Sequence, residues 1–198
     1  MSGDRRVQAG VQAGVQVGVK VIVLVGSLRA ASINRQLAEL AVETSPAGVT
    51  LEVFDRLGEL PFYNEDIDNE SGGGVVEPVA ALRAAAGEAD AALIVTPEYN
   101  GSIPGVLKNS IDWLSRPFGN GALKGKPLAV VGAALGKYGG VWAHDEARKS
   151  FGIAGARVVE DVELSIPAAS LDGKHPREHA ELAARLGEVT GKLVAEIG

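Results

Sequence analysis

Between Gly26 and Arg35 the chain reads Gly-Ser-Leu-Arg-Ala-Ala-Ser-Ile-Asn-Arg. Ser27, Ser32 and Asn34 bring neutral hydrogen-bonding groups, and Arg29 and Arg35 bring cations. The β-branched run Val21–Val25 precedes the segment, and Ile33, Leu37, Leu40 and Ala41 follow at helical spacing. The order is therefore strand, short loop, helix start, with Ser32 placed as the cap. A helix start offers unpaired N–H groups and the positive end of a dipole, which together favour an anion. Arg29 adds a planar fork suited to phosphate, and each charge-assisted hydrogen bond contributes roughly 1.5–3 kcal/mol. Taken alone, the segment also fits an ordinary capped connection. It is neither Gly-x-x-x-x-Gly-Lys-Ser/Thr nor Gly-x-Gly-x-x-Gly, so it matches no nucleoside-triphosphate loop and no usual dinucleotide fingerprint. Asp55, where a ribose-binding acid would stand in the second case, reads as a strand-end or turn residue.

A second loop, Pro97-Glu98-Tyr99-Asn100-Gly101-Ser102-Ile103-Pro104-Gly105, follows the apolar run Ala91–Thr96. Prolines stiffen both ends, and Gly101 lets the backbone approach closely. An aromatic face and polar amides suit a flat heterocycle, although the same composition makes a plain turn. A third loop, Gly132 to Gly140, carries four glycines around Leu135, Lys137 and Tyr138. It is weak evidence by itself.

Two rival chemistries deserve weighing. His175-Pro176-Arg177-Glu178-His179 matches His-x-x-Glu-His, a metalloprotease pattern. Pro176 suits a helix start, which leaves His175 at or before the cap, so a solvated first turn is the preferred reading. Ser102 lies in Gly-Ser-x-x-Gly rather than Gly-x-Ser-x-Gly, and His144 has no evident partner and reads as a helix-surface histidine. A serine hydrolase is disfavoured.

The elements that must position these loops alternate. Strands are expected at Val21–Val25, Val49–Phe54, Ala91–Thr96 and Pro127–Gly132, with a fifth, interrupted one across Arg157–Val159 and Val162–Leu164. Helices are expected from Ile33, over Pro78–Ala89, from Pro104 through Leu114, from Tyr138 or Gly139 to Phe151, and over Pro176–Ile197. Leu57 to Val75, with the triplet Gly72-Gly73-Gly74, reads as a long loop. Such alternation means a parallel sheet covered on both faces, an α/β fold whose ligands bind beyond the carboxyl ends of the strands.

The 198 residues suffice for one domain with a substantial core. The absence of cysteine excludes disulfides, thiolate-ligated metals and a cysteine nucleophile, and fits a reducing cytoplasm. With 25 acidic against 19 basic residues, the net charge of −6 argues against a nucleic-acid surface. No apolar run is long enough to span a bilayer. Three four-residue units, beginning at Val7, Val11 and Val15, make residues 1–19 a low-complexity tail ahead of a domain over 20–198.

Gly26-Ser27-Leu28-Arg29, Ser32 and Asn34, followed by Pro97 to Gly105, resemble the NADPH-dependent FMN reductase family of quinone, azo-dye and chromate reductases. Leu60-Pro61-Phe62-Tyr63-Asn64-Glu65-Asp66 is also similar to that family's Leu-Pro-acidic loop. The resemblance runs from about Lys20 to the C-terminus. It implies a flavodoxin-like three-layer sandwich with a five-stranded parallel sheet in the order 2-1-3-4-5. It implies that Ser27, Arg29, Ser32 and Asn34 hold the FMN phosphate, and that Pro97, Glu98, Tyr99, Asn100 and Gly101 line the isoalloxazine ring. NADPH or NADH would be the electron donor and a quinone or similar small molecule the acceptor, in a homodimer or homotetramer. The helix carrying Asn109, Asp112 and Trp113 is a candidate interface. Where the family often has Ser or Thr, this chain has Ala134, which removes one hydroxyl contact. The alternative is an FMN electron carrier, a flavodoxin proper.

Overall fold

The computed structural model describes residues 18–68 and 76–198. The repeats of the tail and the Gly72–Gly74 triplet lie outside the described residues. Five strands, β1 (Val19–Val25), β2 (Val49–Phe54), β3 (Ala91–Val95), β4 (Pro127–Ala134) and β5 (Arg157–Pro167), form one sheet in the order β2-β1-β3-β4-β5. Every pairing is parallel, as the alternation of strand and helix requires.

Five helices cover the two faces. They are α1 (Ile33–Glu43), α2 (Glu77–Glu88), α3 (Gly105–Leu114), α4 (Val141–Ile153) and α5 (Ala180–Ala195). Side chains alternate across a strand, so Val21, Val23 and Val25 of β1 pack under α1 and α5 while Ile22 and Leu24 pack under α2, α3 and α4. β3 and β4 feed both cores, and all thirteen of their residues are buried. That is why these runs read as unbroken apolar stretches.

The differences from expectation have local causes. The interrupted β5 is one strand with an irregularity, because its register against β4 steps from Leu128↔Val158 to Val130↔Glu163. The buried Arg148 of α4 donates to the Val130 and Val162 carbonyls there, satisfying groups the irregular ladder leaves over. The C-terminal helix is shorter than Pro176–Ile197. Pro176–Glu178 is a separate 3-10 turn, and α5 starts after His179. The loop from Leu57 contains two 3-10 turns, at Leu57–Glu59 and Glu65–Ile67. Helix α4 begins at Val141, after Gly139 and Gly140 with φ of 66° and 97°. A Cβ on Gly139 would stand 2.5 Å from the Ile166 backbone nitrogen, so this turn is closed to other residues.

Candidate functional site

The loops after β1, β3 and β4 converge on one cleft of about 330 Å³. Its size falls in the ~300–1,000 Å³ range of small-molecule sites. The first loop contributes Ser27, Arg29, Ser32, Ile33 and Asn34, and the second contributes Pro97, Glu98 and Tyr99. The third contributes Ala133, Ala134, Leu135 and Gly136, and Ala168 after β5 completes the lining.

In the first loop Ser32 caps α1 as expected, its side chain accepting from the Arg35 amide at 3.4 Å. No acidic residue occupies the first turn of α1, so the positive end of its dipole is not compensated locally. The two arginines separate in role. Arg35 forms a bidentate pair with Asp55 and a 3.1 Å bond to Glu39. Arg29 is exposed, reaches only the Ala31 carbonyl at 3.4 Å, and pairs with no carboxylate among the described residues. Asp55 is thus a turn residue directly after β2, and it pairs with Arg35, which does not line the cleft.

Asn34 is buried, and its amide is committed. Its Nδ2 donates to the Ala133 carbonyl at 2.9 Å and its Oδ1 accepts from the Ala133 amide at 2.8 Å. It pins the first loop to the third.

The second loop turns on Tyr99-Asn100-Gly101-Ser102. Tyr99 and Ser102 exchange backbone hydrogen bonds of 3.0 and 3.1 Å, while Asn100 and Gly101 take φ of 55° and 73°. This is a two-residue hairpin with positive φ at both central positions, which Asn-Gly signals. Tyr99 reaches the cleft half-exposed, whereas Asn100 and Gly101 are not among the lining residues. Glu98 turns back to α4, where its carboxylate accepts from the Ala143 amide in the helix's first turn at 3.3 Å.

His144 overturns its expectation. It is not a surface histidine: it is fully buried, with Nδ1 2.6 Å from the Ser165 Oγ and Nε2 3.1 Å from the Thr96 carbonyl. A carbonyl only accepts, so Nε2 carries the proton and Nδ1 accepts from the Ser165 hydroxyl. Burial holds its pKa below the ordinary 6.5, against the opposing hydrogen bond to Thr96. The signal was present: Ala143, Ala147 and Phe151 form the buried stripe of α4, and position 144 adjoins it.

Asn109 and Trp113 of α3 are also buried within the chain. Asn109 accepts from the Tyr63 amide at 2.8 Å and donates to the Pro61 carbonyl at 2.9 Å, which the Trp113 indole also reaches at 2.8 Å. Both side chains anchor the loop from Leu60, and Asp112 pairs with Lys108. Arg83 closes that loop with a bidentate pair to Asp68 at 2.7 and 2.8 Å. The His175–His179 motif is spent on capping. The His175 side chain accepts from the Arg177 amide, Glu178 accepts from the His175 amide, and His179 bonds the Leu171 carbonyl.

The model of the NADPH-dependent FMN reductase family matches residues 19–170, the span that holds all three loops. The chain belongs to that family. A quinone reductase of Pseudomonas putida is 40% identical over 171 residues, covering 86% of this chain and 82% of the relative. An NAD(P)H-dependent FMN reductase of Pseudomonas aeruginosa is 38% identical, over 73% of this chain and 75% of its own. Among solved structures, the flavoenzyme NAD(P)H:(acceptor) oxidoreductase FerB of Paracoccus denitrificans superposes with a TM-score of 0.75. It is 30% identical and covers 89% of this chain and 98% of its own. The family is one of FMN-dependent, NAD(P)H-using oxidoreductases, and the flavodoxin-like order 2-1-3-4-5 is the one its motifs imply. Ala168 joins the cleft without having been singled out in the sequence.

Proposed function

We propose that this chain takes a hydride from NAD(P)H through FMN held in the cleft and delivers two electrons to a quinone or a similar small acceptor. One observation carries the reading: a single cleft is lined both by groups suited to an anion and by flat apolar side chains. Of the first kind, Ser27 and Ser32 hydroxyls, the opening amides of α1 and the Arg29 guanidinium match a phosphate. Of the second kind, Pro97, Tyr99, Ala133, Ala134 and Leu135 offer flat apolar contact. The donor set therefore fits FMN, polar tail and ring together.

FMN, when bound, supplies the hydride and electron chemistry, so the chain needs no nucleophile or catalytic acid of its own. Its residues bind and orient. Arg29, Ser27 and Ser32 hold the phosphate. Asn34 belongs with them as the residue that fixes their loop against β4. Pro97 and Tyr99 pack on the ring, and Asn100 and Gly101 form the hairpin turn that carries Tyr99. Glu98 shapes this loop through α4. Ala134 contributes only backbone and a methyl group.

Among the described residues no helix is long and apolar enough to cross a membrane. A cytoplasmic setting follows from the need for NAD(P)H. We assign self-association to the face between α3 and α4, where Phe118 is 89% and Ile153 79% exposed beside a second cleft of about 390 Å³. Such an apolar patch marks an interaction surface. Light scattering should then give a dimer or tetramer.

The test of the main reading is direct. The purified protein should bind FMN and oxidise NAD(P)H when a quinone is added, without another protein. Failure to do so while binding FMN would make it a carrier, and failure to bind FMN would sink the reading altogether.

A further inference from the structure

The parallel ladder between β3 and β4 stops abruptly at the cleft. Its register runs from Ala92↔Leu128 to Val95↔Val131, and the Thr96 amide still donates to the Val131 carbonyl at 3.0 Å. The next bond of a parallel ladder would join the Ala133 amide to the Thr96 carbonyl. Neither group takes it. Ala133 gives both its amide and its carbonyl to Asn34, and Thr96 gives its carbonyl to His144. Meanwhile β4 and β5 stay paired through Gly132↔Ser165 and Ala134↔Pro167. So β3 leaves the sheet while β4 stays paired with β5 as far as Ala134, and the cleft opens in the gap.

Gly132 marks the branching point. A Cβ there would stand 2.0 Å from the Thr96 carbonyl oxygen and 2.8 Å from both Asn34 Oδ1 and His144 Nε2. Three polar groups from three elements converge on a residue with no side chain. Buried backbone groups require partners, so removing one substitute donor leaves the Thr96 carbonyl to find another.

We infer that Asn34 and His144 replace the missing rung, and that His144 is the positioning residue that holds the Thr96 carbonyl, and with it the Pro97–Gly101 loop, against the flavin ring. The inference rests on the assignment of the cleft to FMN. His144 touches no reacting atom. It acts through Thr96, and Ser165 holds it in the tautomer that donates from Nε2. Because the loop meets the ring and not the phosphate, the loss of His144 should weaken binding of FMN and of phosphate-free riboflavin alike. Arg29 should affect FMN alone.

The experiment compares His144→Leu and His144→Gln with the unaltered chain, using FMN and riboflavin as the titrated probes. Amide exchange of residues 97–103 is followed in the flavin-free protein. His144→Leu should raise Kd about tenfold for both flavins, the loss of one buried hydrogen bond to a loop group, and should speed exchange in 97–103. Gln can still donate to the Thr96 carbonyl and should restore both readouts to within about threefold of the original. Should His144→Leu not fold, Ser165→Ala decides: a loss of about threefold shared by both flavins supports the role, and unchanged affinity for both overturns it. The inference is also overturned if folded His144→Leu binds both flavins normally, loses only FMN, or is matched in its loss by the Gln variant. If the unaltered chain binds neither flavin, the assignment of the cleft fails instead, and the exchange comparison still reports whether His144 holds the loop.

Discussion

Replacing Gly132 with alanine puts a methyl group where the fold has no room. The added carbon would lie 2.0 Å from a backbone oxygen, and a backbone cannot swing aside as the end of a side chain can. Overpacking of this kind costs about 1–3 kcal/mol by itself. Displacing Asn34 or His144 by even a few tenths of an ångström weakens hydrogen bonds worth about 1 kcal/mol each. The sum is about 3 kcal/mol against a total stability of roughly 5–15 kcal/mol, so the variant should fold but be clearly weakened. With a urea dependence of about 2 kcal/mol per molar, the unfolding midpoint should fall by about 1.5 M. Gly136→Ala is the control. A Cβ at Gly136 meets nothing within 4 Å, and its midpoint should stay close to the original. A Gly132→Ala midpoint within ~0.3 M of the unaltered chain would refute the claim that three groups close on this residue.

Other expectations follow from the same geometry. Arg29→Ala should raise the Kd for FMN about tenfold or more while leaving riboflavin unaffected, since it removes one charge-assisted contact to phosphate; equal losses for both flavins would move Arg29 off the phosphate. Asp68→Asn, which breaks the bidentate pair with Arg83, should cost about 2 kcal/mol in urea unfolding; no change would mean that the loop from Leu60 is held without it. The pair with Arg83 also keeps the Asp68 carboxyl below its ordinary 3.8, so its contribution is present above that value and disappears as pH falls through the lower folded value. His144 acts earlier in an acid titration. Burial, aided by Arg148 and opposed by the Thr96 carbonyl, Glu98 and Asp145, keeps it neutral in the folded chain below 6.5, whereas the unfolded chain takes up a proton there. Stability should therefore be complete above about 6.5 and decline as pH falls below it. His144→Gln should flatten that decline in thermal unfolding measured across pH, and an unchanged slope would assign it to other groups.

The layout of the fold was legible because its signals are local. Unbroken apolar runs gave the central strands, Pro78 and Pro104 marked helix starts, and the alternation left only a parallel sheet. The loops were found for the same reason: each follows a strand end. What stayed hidden depends on contacts distant in the chain. Asn34 and Arg35 stand side by side in the motif, yet one reaches Ala133, 99 positions away, and the other turns to Asp55. Nothing in the motif says which will face a ligand. His144 looked solitary because its partners, Thr96 and Ser165, lie 48 and 21 residues off. The Asn100-Gly101 hairpin was a missed local signal, since that dipeptide specifies a tight reversal whatever surrounds it.

The second loop is bound to α4 at three separate points. Thr96 meets His144, Glu98 meets the Ala143 amide, and the Ile103 amide meets Glu146 at 3.4 Å. By contrast, among the described residues its hairpin tip bonds only to itself. The loop and the first turns of that helix are therefore tied together by these bonds, so that a local opening of one should carry the other with it. The wall against which a ring would pack takes its rigidity from a helix whose far end, at Ile153, reaches the exposed apolar face between α3 and α4. A protein bound at that distant end would set how firmly the cleft keeps its shape, without touching any residue that lines it.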